Sequence, residues 1–179
     1  MVAIAVAAII LTVGIPSFIS TINGARITSA TNDFLVELAY ARTEAIRRGQ
    51  RITMCASANA NAANPACNGG PWTTGWLMFE DLNRNAALDA GETILRRHEA
   101  LPNNLTIIGN GNVTSFVSYT QSGTASLAGV NAGAQGGTIR VCMTHTLPAN
   151  NARDINLDPS GSGRTSVQPQ NFGGACPAP

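Results

Sequence analysis

The first twenty residues, MVAIAVAAIILTVGIPSFIS, carry no charged side chain, and the apolar character thins only near Ile22, ahead of the first charge at Arg26. About 20 apolar residues make a helix long enough to cross ~30 Å of hydrocarbon, so this stretch is expected to span a bilayer. It is too long and too rich in Ile and Val for a signal peptide, and no small-residue cleavage site follows it. The pattern runs straight into an amphipathic helix instead. Ile22, Ala25, Ile27, Phe34, Leu35, Leu38, Ala41, Ala45 and Ile46 recur mostly at intervals of three and four, while Asp33, Glu37, Arg42, Glu44, Arg47 and Arg48 fall mostly between them. Arg47 and Arg48 suit the negative end of the helix dipole, and Gly49 supplies a stop. The prediction is one helix of about 48 residues, roughly 70 Å long. Such a rod exceeds a small domain, so its apolar half needs a partner outside that domain: lipid first, then neighbouring copies. Gly14 and Pro16 interrupt this half. Pro16 lacks an amide hydrogen and crowds the preceding turn. It is either a proline that a membrane helix tolerates or a soft point for moving from lipid into a bundle.

The 179 residues suit one domain with its anchor. The expected division is 1–22 as the membrane-spanning half-helix, 23–49 as the amphipathic half and 50–179 as a β-rich globular domain. Charged residues make up 12% of the chain and the net charge is +1, which gives no bulk attraction for nucleic acid or anionic lipid. The four cysteines, Cys55, Cys67, Cys142 and Cys176, lie beyond the anchor. None has C-x-x-C spacing, so two disulfides in an oxidising compartment are expected rather than a metal site. Cys55 with Cys67 closes a short loop, and Cys176 pinned to Cys142 joins sequence neighbours, although spacing alone leaves three pairings open.

Strands are expected at Arg51–Ala56, Thr73–Glu80, Thr93–His98, Leu105–Ile108, Ser115–Tyr119, Thr138–Met143, Ile155–Leu157 and Arg164–Val167. Trp76 and Met78 alternate with Leu77 and Phe79, which implies burial on both faces. Asn110-Gly111 has the chemistry of a hairpin turn, and 129–137 that of a flexible connection. The expected fold class is α+β, a long helix whose second half packs on an antiparallel sheet domain.

Little catalytic chemistry is visible. His98 adjoins two arginines, His145 follows a disulfide-forming cysteine, and no G-x-S-x-G elbow or P-loop is present. No catalytic residue, cofactor or resident metal is assigned. Residues 81–92 place oxygen-bearing side chains at positions 1, 3, 5, 9 and 12 of a calcium-type loop, but Ala86 stands where the sharp turn needs glycine. The alternative is a hairpin loop whose Asp and Asn side chains bond their own backbone.

The M-V-A-I-A-V-A-A-I-I-L run, Gly14, Pro16 and the amphipathic helix after them resemble the N-terminal region of type IV pilins and type II secretion pseudopilins. The segment D-F-L-V-E-L-A-Y-A-R-T-E-A-I-R-R-G, with Trp72, Gly75, Trp76, Phe79 and Asp81, is similar to the GspH/FimT/FimU branch. Mature members begin with an aromatic residue and Thr-Leu-Ile-Glu-Leu before such a run. Those residues are absent, so the sequence is expected to be trimmed or begun at an internal methionine, and the family's assembly-directing glutamate maps to no position. The resemblance implies a pilin-like fold and a structural subunit, a minor pilin or pseudopilin. It would be held in the inner membrane with its globular domain periplasmic, then built into a pilus or pseudopilus. Its partners would be other pilin subunits, met through the N-terminal helix, with an ATP-driven machine supplying work. Loops 57–71 and 81–92 and the tail 160–179 are candidate partner surfaces. The alternative is DNA binding for natural transformation, since some FimT-like members carry a basic Gly-Arg-x-Arg motif. Gly163-Arg164-Thr165-Ser166 keeps its first arginine, with Arg153 the nearest other cation. Arg47, Arg48, Arg51, Arg96 and Arg97 would form a second patch if the first strand and the hairpin converge.

Overall fold

The computed structural model describes the backbone of residues 2–102, 104–145 and 149–179 and, within the N-terminal helix, side chains from Ser17 onward. That helix, α1, runs Val2–Arg48. Asn23, Ile27, Thr31, Phe34, Leu38, Ala41 and Ala45 are buried along one side, at the intervals of three and four that a 3.6-residue turn aligns. Arg47 and Arg48 fill the last turn, and Gly49 at φ +63° closes it in the left-handed conformation that a side chain would strain. The soft point expected at Gly14 and Pro16 lies outside the described side chains, as does the rest of the apolar run up to Pro16. Among the described residues no helix is long and apolar enough to cross a membrane.

Eight strands follow: β1 (Ile52–Ala56), β2 (Trp76–Glu80), β3 (Ile94–His98), β4 (Leu105–Gly109), β5 (Phe116–Tyr119), β6 (Gly137–Met143), β7 (Ala152–Leu157) and β8 (Thr165–Gln170). They form two antiparallel four-stranded sheets, ordered β3-β2-β1-β5 and β4-β6-β7-β8. α1 lies against β1 and β5 of the first sheet and β6 and β7 of the second. One apolar stripe therefore serves two sheets. Phe34, fully buried, meets Trp72 and Trp76 edge-on with ring centroids 5.3 and 5.2 Å apart. β2 is covered on both faces as expected: Trp76 and Met78 join the core under α1, while Leu77 and Phe79 join a smaller cluster with Cys55 and Ala60.

Asn110-Gly111 does not turn a hairpin. β4 and β5 belong to different sheets, and a 3-10 turn at Gly111–Val113 carries the chain between them. The physical reason is that Asn110 is already committed to β6. Its amide donates to Thr138 O at 3.0 Å, and its Oδ1 accepts from Thr138 N at 2.8 Å. Nor is 129–137 a loose connection. Gln135 is fully buried, donates to Asn112 O and Phe116 O, and accepts from Ser118 N, which closes the edge of β5.

Candidate assembly surface

The solvent side of α1 has an order of its own. Phe18, Ile22, Ala25, Ser29, Asn32, Val36, Ala39, Thr43 and Ile46 are all exposed, and their spacing alternates strictly between four and three. None is charged. Phe18 is 68% exposed, Val36 59% and Ile46 54%, so this line is not covered by the chain's own domain. A 3.5-residue repeat of this kind is the seam that helices use to pack against other helices at a shallow angle. Carried back along the sequence, the same spacing falls on Ile15, Leu11, Ala8 and Ile4.

Several helix charges flanking the seam are held by the domain or by one another. Glu44 takes bonds of 2.6 Å from both Arg47 and Arg48, and Arg48 also reaches Glu80 at 2.6 Å. Hydrogen bonds first from Arg47 and then from Arg48 bring the Glu44 carboxyl down to about 2. Glu37 pairs with Arg96 at 2.9 Å, and Arg42 donates to Ser162 O and Gly163 O at 3.1 and 3.3 Å. These five charges are thereby engaged with partners. Sequence reasoning found the buried stripe and missed this one. The readable signal was a charge-free 3.5 period superposed on the 3.6 period of the core face.

The other expected site residues fall as follows. Cys55 bonds Cys67 and Cys142 bonds Cys176, with Cα–Cα separations of 5.6 and 5.9 Å. The second bridge ties the tail across β6, where Asn151 Nδ2 also donates to Ala175 O and Arg140 donates to Pro177 O and Ala178 O. Arg153 and Arg164 do not meet. Arg153 turns toward α1 and donates to Thr28 Oγ1 at 3.0 Å, opposite Pro169 in the β7–β8 register. Arg164 is exposed at the other end of β8, about 16 Å away along the strand. The arginines of the second expected patch are all engaged. Arg47, Arg48, Arg51 and Arg96 are each paired with a carboxylate, and Arg97 donates to Ala60 O and Ala62 O.

In loop 81–92 most of the acidic and amide side chains bond within the loop. Asp81 faces Arg51 at 3.2 Å and accepts from Thr53 Oγ1 and the amides of Asn85 and Ala86. Asp89 takes the amides of the Asn83 and Asn85 side chains, and Glu92 takes the backbone amides of Leu82 and Asp89. Ala86 adopts φ +60°, the conformation for which the calcium pattern reserves glycine. Among the described residues no group of three or more His, Cys, Asp or Glu is placed to hold a metal ion.

The family model for "Type II transport protein GspH" matches residues 30–163. The chain belongs to the GspH family. Among solved structures it is similar to the type IV minor pilin FimU of Pseudomonas aeruginosa in two crystal forms. The first has a TM-score of 0.53 at 20% identity, over 79% of this chain and 92% of that one. The second has a TM-score of 0.56 at 19% identity, over 81% and 90%. A search of curated proteins finds no match. The fold is thus pilin-like, a long helix on antiparallel sheets. The family is a structural one, which implies an envelope-associated protein that keeps the company of pilin subunits.

Proposed function

We propose that this chain is a filament subunit, a minor pilin or pseudopilin of a type IV pilus or type II secretion filament. Residues 1–22 anchor it in the inner membrane until assembly, 23–49 carry the globular domain on the same helix, and 50–179 face outward. The observation that carries this reading is the charge-free seam along the solvent side of α1. Lipid already shields the apolar half-helix, so moving it into a bundle gains little from water release. The drive comes from close packing along the seam, and small residues such as Ala25, Ser29 and Ala39 allow backbones to approach. Gly14 and Pro16 serve as the soft point where the helix adjusts to that packing. FimU is itself a type IV minor pilin, which supports the pilus side of the proposal.

Ala39→Glu tests it. The position is exposed in the single chain, so folding should change by no more than about 0.5 kcal/mol. A carboxylate forced unpaired into a helix–helix seam costs several kcal/mol, about 100-fold or more in assembly. Loss of the chain from sheared filaments, with unchanged thermal unfolding, is the expected result. Normal incorporation of the variant would refute the seam. The alternative, DNA uptake, needs several cations on one surface; Arg153 turns toward α1 while Arg164 is exposed at the other end of β8, so the filament reading is the better supported.

A further inference from the structure

Just past the end of α1, a cleft of about 340 Å³ opens between Gln50 and Arg51, the start of loop 81–92 and the turns around 120–132. By axial rise Arg48 stands about 39 Å beyond Ile22, so the cleft lies at the far end of the rod from the apolar run. Its walls are tied together by backbone bonds. Gly129 N donates to Arg84 O at 2.6 Å, while Thr120 N to Thr124 O at 2.9 Å and Gly123 N to Thr120 O at 2.8 Å close the turn opposite. Among the described residues three other than glycine take positive φ, and two of them, Arg84 at +65° and Asn131 at +58°, line this cleft. An arginine adopts that backbone only where its surroundings impose it, and such positions gather at binding sites.

The charges in the cleft are unevenly partnered. Arg51 is 7% exposed, and its three guanidinium nitrogens differ. Nε is sealed against Asp81 Oδ2 at 3.2 Å, and Nη2 donates to Ser126 O and Leu127 O at 3.0 and 2.8 Å. Among the described residues Nη1 has no bond, and it is not sealed, so it is the nitrogen that Arg51 presents to the cleft. Arg84 is exposed on the same wall and makes no ion pair or side-chain hydrogen bond among the described residues. Burial pushes the Arg51 guanidinium down from its ordinary value, Asp81 opposes this, and the charge of Arg84 adds to it, so the two cations share one field. Two arginines against the single buried Asp81 leave one positive charge, which suits a monoanion. The rest of the lining is neutral and hydrogen-bonding. Thr120, Ser122 and Thr124 hold their hydroxyls within 2.7–3.1 Å of one another, each both donor and acceptor, and Gln50 and Asn131 add amides. Leu82 is the one large apolar side chain, and no aromatic ring offers a stacking surface for a nucleobase. We propose that this cleft binds a small hydroxylated carboxylate, a sugar acid. Its carboxylate lies between Arg84 and Arg51 Nη1, its hydroxyls meet the cluster of Thr120, Ser122 and Thr124, and its C–H face rests on Leu82. The site goes beyond the filament reading and does not depend on it.

The test titrates the full, nitrogen-15-labelled chain in mild detergent with galacturonate, galactose, phosphate and polygalacturonate, read by amide chemical shifts. Galacturonate should give saturable shifts at Ser122, Gly129 and Asn131, and galactose, its uncharged counterpart, should bind about tenfold more weakly, the scale of one charge-assisted bond. Arg84→Gln should weaken galacturonate about tenfold while leaving galactose and the unfolding curve unchanged. Ser122→Ala should weaken both sugars about threefold, as loss of a neutral hydrogen bond does, and Arg164→Gln should alter neither. Tighter binding of polygalacturonate at equal uronate supports the site with a surface polysaccharide as its source, and equal binding supports it with a free sugar acid. Absence of saturable shifts from every sugar overturns the site. Equal binding of galactose and galacturonate, with Arg84→Gln silent, overturns the carboxylate. Phosphate binding as well as galacturonate, with Ser122→Ala silent, overturns the sugar body in favour of a simple anion.

Discussion

Replacing Phe34 by alanine tests the joint between helix and domain at its centre. Phe34 is fully buried and edge-on to two tryptophans, Trp72 at 5.3 Å and Trp76 at 5.2 Å. Truncating a buried phenylalanine costs about 3–5 kcal/mol through lost transfer energy and the cavity left behind. The two aromatic contacts push the value toward the top of that range, because each edge-to-face pair adds roughly 0.5–1.5 kcal/mol beyond area. The site collapses poorly, since Trp72 is tethered by its bond to Val113 O and Trp76 by its stack on His98. A loss of about 5 kcal/mol corresponds to a fall of roughly 10–20 °C in Tm for a chain of this size. Denaturant unfolding of the full chain in mild detergent, followed by tryptophan fluorescence, measures it. Val36→Ala two residues away, at 59% exposure, should stay within about 0.5 kcal/mol. If Phe34→Ala cost no more than Val36→Ala, the two faces of α1 would be wrongly assigned and the seam with them.

Two further outcomes are expected. The Glu44 carboxyl is held at about 2, below its ordinary 4.5, by Arg47 and Arg48. Its contribution to stability is therefore present above about pH 4.5 and lost as pH falls toward 2, and a Glu44→Gln chain should show a smaller loss of Tm over that window. Replacing Cys142 and Cys176 together by serine reopens a 34-residue separation, worth about 3–4 kcal/mol in the chain-entropy model. Amide exchange should then become fast in 171–179 before it does in β6 and β7, and unchanged tail protection would show that Arg140 and Asn151 hold the tail unaided.

Local signals were legible and long-range ones were not. The end of α1 could be read at Arg48-Gly49 because capping is written in adjacent residues. The double burial of β2 could be read from Trp76 to Phe79 because a strand's period is two residues. Both disulfides joined sequence neighbours, so proximity along the chain stood in for proximity in space. The division into two sheets could not be read. Asn110-Gly111 has hairpin chemistry, and only the pairing of Asn110 with Thr138, far along the chain, overrides it. Arg153 and Arg164 are eleven positions apart in sequence, yet strand register sends one toward α1 and leaves the other exposed. The solvent seam was hidden for a different reason. Its alanine, serine, asparagine and threonine are unremarkable singly, and the pattern appears only once the other face is known to be buried.

One helix leaning on two sheets also governs how the molecule answers force. A pull applied through the leading rod is not delivered to a single strand that could peel away one bond at a time. It is met by Ile27, Phe34, Leu38 and Ala45 together, in shear across both β layers. At the far end the ion pairs from Arg48 to Glu80 and from Arg51 to Asp81 join the helix exit to the tip of β2. Tension along such a rod is shared by the whole interface before any of it gives way.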